Sequence, residues 1–569
     1  MKKKSLGLSV LLTGMGALFL ALTGIVEEKN NLIIQVALVW AICVGTYAFL
    51  NDTDCKAKLC FGTVGSGIVF ATSIGRRLSV FDRTGWDGLI LCALAALCWG
   101  GGVGAYLLRL CRWLEKRSPD QKNCRVFLRS FLFIICGWLP IWLACFPCIF
   151  GYDLGSQLHQ ILSGNYTTHH PLLHTLLIGG LYKFGGVLGN FTLGAFLYAL
   201  IQVICLAASM AYALSYLAKL RCPRGVRITL MAFFALAPNH SVLAIGTTKD
   251  VFFASFAIVA MIEIHKAFLC RERLKKARTV VMLVLPISGM CLMRNNAMMA
   301  IAAWIIPAVG LIGRKYRRRM VAVVMMVLLL QSAISFGLQN ATQASDGLIN
   351  EMLSVPAQQI ARMHVSSGEG AGSEALEWVP HAEKYQPSRA DNVKLHLKVQ
   401  REGELLGFLK FWIREFFSHP IEYIDAFLLN ANGYWNPQDT SFSSVYGQWP
   451  DGTVGALIIE QYEGYGVTFT SLLPGLRKLY DWLFSQNNYQ RVPGLSTLIH
   501  PATYTWMLLF VLAWAIWRRR WAVLGSGTLM LMYLLTLFLG PCTLVRYCYY
   551  LMTAAPVLLA LMCTPKENA

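Results

Sequence analysis

Long apolar runs alternate along this chain with short polar turns. A run of about 20 apolar residues crosses about 30 Å of hydrocarbon at about 1.5 Å per residue. Such runs and their flanks predict about fourteen helices, over roughly 5–26, 32–50, 60–75, 87–108, 130–150, 191–217, 228–245, 251–268, 279–293, 296–313, 320–338, 502–517, 521–540 and 543–562. The pattern breaks in two places. Residues 151–175, GYDLGSQLHQILSGNYTTHHPLLHT, set Asp153, Gln157, His159, His169, His170 and His174 directly after the run Phe131–Phe150. Residues 340–500 lose long apolar character, hold most of the acidic side chains and carry short helical patterns such as Glu402–Phe417.

The architecture these patterns predict is an all-α polytopic membrane protein with a small extracytoplasmic insertion domain. Its parts are an N-terminal four-helix extension (1–110), a transmembrane core (111–339) with an outer loop at 151–190, the insertion (340–500) and C-terminal transmembrane helices (501–569). The start, Met1 and three lysines before Ser5–Val26, resembles a signal peptide. The length of the run, the lack of a small-residue cleavage site and the spans that follow predict a retained first helix instead. Segment 172–188, LLHTLLIGGLYKFGGVL, is expected to lie on or re-enter the outer surface. Counting it as a span would invert every later loop, and its glycines disfavour a straight helix.

Composition agrees: 56% of residues are hydrophobic and 14% charged, which excludes a soluble protein. A net charge of +20 would suggest a nucleic-acid partner in a soluble chain. Here the basic residues sit in short loops between apolar spans, where lysine and arginine set orientation, so nucleic acid is rejected. With Lys2–Lys4 in the cytoplasm, the inside loops take Lys56 and Lys58, Arg109 to Arg125, Lys219 to Arg227, Arg271 to Arg278, Arg314 to Arg319 and Arg518 to Arg520. Both termini are then cytoplasmic. Arg76, Arg77 and Arg83 are the exception, lying on the outside. Most of the 17 cysteines fall in or beside apolar runs and read as small buried hydrophobes, with no disulfide framework.

This orientation puts the conspicuous polar groups on one face of a cell membrane. Asp153, just beyond a span, could act as a general base or metal ligand, or simply cap the helix that follows. Pro171 is placed to open a helix, which would stack His170 and His174 at i, i+4. That spacing suits a metal, a phosphate or a sugar hydroxyl. The glutamate of a zinc HExxH is missing, so a divalent metal has no clear motif and the cofactor stays unknown. Lys249, Arg294 and Arg546 are cations on the face where few are expected. Fixed cations there fit an anionic headgroup, and a lipid-linked phosphate is the natural ligand. Gln358, Gln359 and Arg362 open the insertion; they either line a cleft or belong to an amphipathic interfacial helix. Tyr434, Trp435, Tyr446, Trp449, Tyr462 and Tyr465 could stack on carbohydrate or anchor the insertion at the headgroups.

A multi-pass body with an aspartate in its first long outer loop, interfacial helices after it and an Arg-Tyr near the last span resembles the GT-C superfamily of membrane glycosyltransferases. More closely, the chain resembles an uncharacterised family of Gram-positive multi-pass proteins, through YDLGSQLHQILSGNYTTHHPLLHT, TTKD, RNN, EMLSVPAQQIAR, GYWNP and VRY. The superfamily resemblance implies a polyprenyl-phosphate-linked sugar donor, drawn from the surrounding membrane lipids, and a reaction on the outer face. It implies Asp153 as base, although Leu154 stands where a second acid is usual. It further implies a donor site built from His169, His170, Lys249, Arg294 and Arg546, with Gln157, His174, Asp250, Asn295, Gln358 and Arg362 around it. A flippase or polymerase-like carrier of lipid-linked glycans would use the same cations. A solute transporter fits less well, because transporter sites usually lie near mid-span.

Overall fold

The computed structural model describes residues 2–24, 32–120, 125–151, 153–347, 349–367, 372–399, 402–441, 465–485 and 487–565. Its first half holds α1 (Lys2–Leu22), α2 (Leu32–Asn51), α3 (Cys55–Phe81), α4 (Trp86–Glu115), α5 (Val126–Ala144), α6 (Leu154–Ser163), α7 (Leu172–Val187), α8 (Phe191–Lys219), α9 (Arg224–Leu236), α10 (Pro238–Ile245), α11 (Lys249–Leu269), α12 (Ala277–Met293), α13 (Ala297–Ile312) and α14 (Arg317–Thr342). The insertion contributes α15 (Ser354–Ser367), α16 (Gly372–Trp378), α17 (Asp391–Lys394), α18 (Glu402–Ser418), α19 (Pro420–Asn430), α20 (Asn432–Trp435), α21 (Pro474–Ser485) and α22 (Leu495–Ile499). The chain closes with α23 (Pro501–Arg518), α24 (Trp521–Leu537) and α25 (Tyr549–Leu561). Among the described residues there is no strand, only isolated bridges such as Ile149 with Gly246.

Helices occupy all fourteen of the apolar segments. Among the described residues eight are long and apolar enough to cross a membrane on their own, and nine if α9 and α10 count together. The protein is therefore an all-α polytopic membrane protein. The expected single span over 228–245 is broken instead, with α9 and α10 meeting at 52°. Pro238 supplies no N–H to a continuing helix and forces the preceding Ala237 into extended geometry (φ −67, ψ 124). Such a break is tolerated at membrane depth only where protein satisfies the freed backbone. Trp138 does so at the carbonyl of Phe234, four residues before Pro238, its indole N–H donating at 2.9 Å. Gln202 holds the other end of α10, its amide donating to the carbonyls of Leu243, Ala244 and Gly246 at 3.2, 2.9 and 2.6 Å.

Small residues bring the first four helices together. A Cβ on Gly65 would stand 2.2 Å from the carbonyl oxygen of Gly100, so α3 and α4 touch backbone to backbone. Apolar burial gives little drive between helices in lipid, and close van der Waals approach of this kind replaces it. Arg77 is buried in this unit, donating to the carbonyl of Thr23 at 2.9 Å and to Asp87 at 2.9 Å. It is a structural cation, which accounts for part of the basic excess on the face expected to be poor in lysine and arginine.

The insertion divides its packing. Leu353 to Tyr423 bury a core of their own, around Ile360, Ala361, Val393 and Phe408. Tyr434, Phe484, Tyr489 and Ile499 instead join the principal core between the spans. Among the six aromatics singled out as a stacking or anchoring face, Tyr434 is buried and donates to the carbonyl of Cys542 at 3.3 Å, and Trp435 donates to Leu428 at 3.3 Å. Tyr446, Trp449 and Tyr462 lie outside the described residues.

Candidate functional site: a buried cluster of three cations and two carboxylates

Four chain segments meet at one end of the bundle, each at the end of a helix. Asp153 stands at the N-cap position of α6, but its side chain makes no capping bond. It turns instead to Arg546, which donates to both carboxylate oxygens at 3.0 Å, and to Lys249, whose ammonium lies 2.8 Å away. A two-point guanidinium–carboxylate contact is the most directional ion pair available to side chains. The loop bearing Asp153 is tied to the loop bearing Lys249 by backbone bonds: Ile149 N–H to the Ile245 carbonyl at 2.9 Å and Thr247 N–H to the Ile149 carbonyl at 2.8 Å.

TTKD then starts α11 in the usual chemistry of a helix N-terminus. Thr248 is the N-cap, and its hydroxyl donates to the carboxylate of Asp250 at 3.0 Å. Asp250, in the first turn, gains from the helix dipole. It is the innermost member of the cluster, its side chain only 2% exposed, and pairs with Arg294 from the end of α12. Arg546 reaches it more distantly, at 3.8 Å. Tyr547 packs under both guanidiniums, with ring centres 4.1 Å from Arg294 and 5.2 Å from Arg546. Asp153, Lys249 and Arg546 are each 12% exposed and Arg294 11%, so all four are largely buried.

Burial alone would push the Asp153 carboxyl upward. The Arg546 and Lys249 charges overcome that and hold it well below the usual carboxylate range. His170 touches Lys249 at 3.2 Å through Nδ1. Burial, then the Lys249 charge, push its imidazole down to about 3, so it is neutral. The cluster therefore sums three cations against two carboxylates, a net charge of +1.

The i, i+4 pairing expected of His170 and His174 does not form. Pro171 is the N-cap of α7, which leaves His170 outside the helix. His174 faces a different set of partners. Its Nδ1 meets the Gln157 amide at 2.9 Å and its Nε2 meets the Tyr198 hydroxyl at 2.7 Å; that hydroxyl donates to Gln202 at 2.8 Å. The only arrangement that satisfies all three bonds is a neutral His174 protonated on Nε2. Both of its nitrogens are occupied and it is 1% exposed, so it is a framework residue holding α7 to α8, with Gln157 beside it. His169 is exposed and packs edge-on to His170, with ring centres 4.5 Å apart. Asn295 is exposed and donates to the Thr168 carbonyl at 3.3 Å.

Gln358 and Arg362 make their contacts elsewhere. Gln358 donates to the carbonyl of Gln386, and Arg362 pairs with Asp82 at 3.1 Å and Asp425 at 3.6 Å. Asp425 in turn accepts from the Thr84 backbone and hydroxyl. Arg362 and Asp425 fasten the insertion to the α3–α4 turn, while the Gln358 bond lies within the insertion. The insertion does bear on the cluster in another way. Ala390 N–H and the Asn430 amide donate to the carbonyls of Pro541 and Gly540 at 2.7 and 2.8 Å, holding the loop that leads to Arg546.

Sequence reasoning missed Tyr198 and Gln202, and held Thr248 and Tyr547 only inside the strings TTKD and VRY, with no role of their own. Gln202 carried a signal that was not used, as a lone amide within the apolar run of α8. A small apolar cavity of about 10 Å³, room for a single water-sized group, lies between Phe150, Leu154, Ile178, Tyr182, Tyr198 and Thr247. Among the described residues no three His, Cys, Asp or Glu side chains are grouped to hold a metal.

No curated protein and no solved structure matches the chain. A family model does match, over residues 162–569, beginning just after Asp153 and including Lys249, Arg294 and Arg546. That match spans well over half of the sequence, so the chain belongs to the family of unknown function DUF6020.

Proposed function

We propose that this protein is a membrane glycosyltransferase that moves a sugar from a polyprenyl-phosphate-linked donor to a glycan, lipid or protein acceptor. In this reading the chain crosses a cell membrane fourteen times with both termini in the cytoplasm, and the Asp153 end of the bundle faces outward. The observation that carries it is the cluster itself: three cations on two carboxylates, drawn from four helix ends, beside the apolar side chains of Phe150 and Leu154. A surplus positive charge beside apolar surface suits an anion that arrives on a lipid.

The geometry suggests how the groups would act. With its oxygens held by Arg546 and Lys249, Asp153 is a weak base. A donor phosphate competing for those cations would loosen their hold and raise its basicity. The acceptor hydroxyl would then give its proton to Asp153 while its oxygen bonds to the anomeric carbon. The bond from that carbon to the phosphate oxygen breaks, and the polyprenyl phosphate leaves onto Lys249 and the arginines.

The test uses the purified full-length chain in nanodiscs with a panel of polyprenyl-phosphate sugars. Losing a general base typically costs about 10²–10⁴ in rate, so Asp153→Asn should lose transfer on that scale while still binding donor. Transfer at the normal rate by Asp153→Asn, with donor still bound, would remove Asp153 from the chemistry and favour a carrier of lipid-linked glycans.

A further inference from the structure

α21 has two apolar faces, and the protein covers only one. Leu483 and Phe484 are buried, and Leu476 and Tyr480 pack against the principal core. On the other side Leu472, Leu473, Leu479 and Trp482 are 60%, 39%, 48% and 48% exposed, with Lys478 exposed among them. Four large apolar groups side by side, in and just before one short helix, form a patch rather than scattered surface residues.

The position of this helix says what covers the patch. The strand of chain leading into it is hydrogen-bonded to the last turn of α5 and the residues after it. Leu472 N–H donates to the Leu143 carbonyl and Thr470 N–H to the Phe146 carbonyl, both at 2.9 Å. α5 is one of the eight helices able to cross a membrane, and it carries its own outward stripe of Leu128, Leu132 and Leu139, 61%, 51% and 44% exposed. The exposed face of α21 thus continues the lipid-facing surface of a span at the level where that span ends. Tryptophan is enriched at this depth, and a lysine there extends its ammonium to the headgroups while its stem lies on apolar surface. Arg477 and Lys478 outnumber Asp481, which suits anionic lipid.

We infer that α21 is an interfacial helix that docks into the headgroup layer at the Asp153 end of the bundle, its partner being bilayer lipid. The contact would bear on the candidate site. Just before α21, Phe469 packs on Phe150 with ring centres 5.0 Å apart, and Tyr182 donates to the Tyr465 carbonyl at 2.7 Å, so this segment bears on two residues near Asp153.

The experiment places a photoreactive benzoylphenylalanine at Leu479 or Trp482 of the full-length chain. Leu132 serves as the span reference and exposed Glu383 as the polar control. The protein is irradiated in nanodiscs of phosphatidylglycerol and phosphatidylethanolamine, and adducts are read by mass spectrometry. Lipid adducts at 479 and 482, as at 132 and unlike 383, are expected. A loss of lipid adducts at 479 and 482 with those at 132 retained would overturn the inference. So would a covalent dimer formed through 479 or 482, which would make a second copy the occupant.

Discussion

Replacing Asp153 by asparagine should destabilise this protein more than replacing Arg546 by glutamine, although the two residues share the same pair of hydrogen bonds. The reason lies in what each change leaves behind. Without the Arg546 charge, Lys249 still holds Asp153 at 2.8 Å and Arg294 still holds Asp250, so two closed pairs remain and the cluster is neutral. Without the Asp153 charge, Lys249, Arg294 and Arg546 face Asp250 alone, a net +2 among side chains no more than 12% exposed. An uncompensated buried charge costs about 3–5 kcal/mol. A lost partner whose mate retains another costs nearer to about 1–3 kcal/mol. The double variant Asp153→Asn/Arg546→Gln returns the cluster to +1 and should recover part of the loss, with a coupling of at least about 1 kcal/mol. The assay is the unfolding midpoint of the full-length chain in mixed dodecylmaltoside–SDS micelles, followed by tryptophan fluorescence. A polytopic chain need not unfold in two states, so the order of midpoints is the readout. Asp153→Asn should lie lowest, below both Arg546→Gln and the double variant. Equal midpoints for the two single variants, or a double variant lower still than Asp153→Asn, would refute the charge count.

Two further outcomes follow from neighbouring groups. His170 is neutral in the fold, its imidazole pushed down to about 3, whereas an unfolded histidine titrates near 6.5. Its contribution is therefore complete above about pH 6.5 and is lost as pH falls from there toward 3, at up to about 1.4 kcal/mol per unit. Asp153, ionised in both states until about pH 4, adds nothing over that upper range. Unfolding midpoints from pH 7 to pH 5 should fall less steeply in His170→Asn than in the unaltered chain, by about 2 kcal/mol at pH 5; parallel slopes would contradict the assignment. Gln202→Leu strips the partner from the carbonyls of Leu243, Ala244 and Gly246 and from the Tyr198 hydroxyl, at about 1–3 kcal/mol for each buried group left unpaired. It should lower the midpoint and speed hydrogen exchange across 243–249, and unchanged exchange there would show that the amide does not hold this backbone.

What the sequence determined by itself was governed by the solvent. Bilayer thickness sets the length of an apolar run, so the fourteen helical segments could be located directly, although the break between α9 and α10 and the further reach of α3 and α4 could not. The same logic marked Asp153, Lys249, Asp250, Arg294 and Arg546, because charge beside hydrocarbon is costly enough to stand out one residue at a time. Which charge meets which was left to tertiary structure. Asp153 sits where an N-cap would, and the approach of Lys249 and Arg546, from 96 and 393 residues away, turns it from the helix it precedes. His170 and His174 have the spacing of a pair, yet Pro171 ends the preceding turn and sends the two rings to different partners, Lys249 and Tyr198. Arg362 and Gln358 carry the residue types of a binding cleft, but Arg362 meets Asp82 and Asp425 at a seam between the insertion and the first helices, and Gln358 meets the Gln386 carbonyl inside the insertion. Periodicity reports which residues cannot face lipid or water alone. It carries no information about distance between segments, and ion pairs form or fail over a few ångströms.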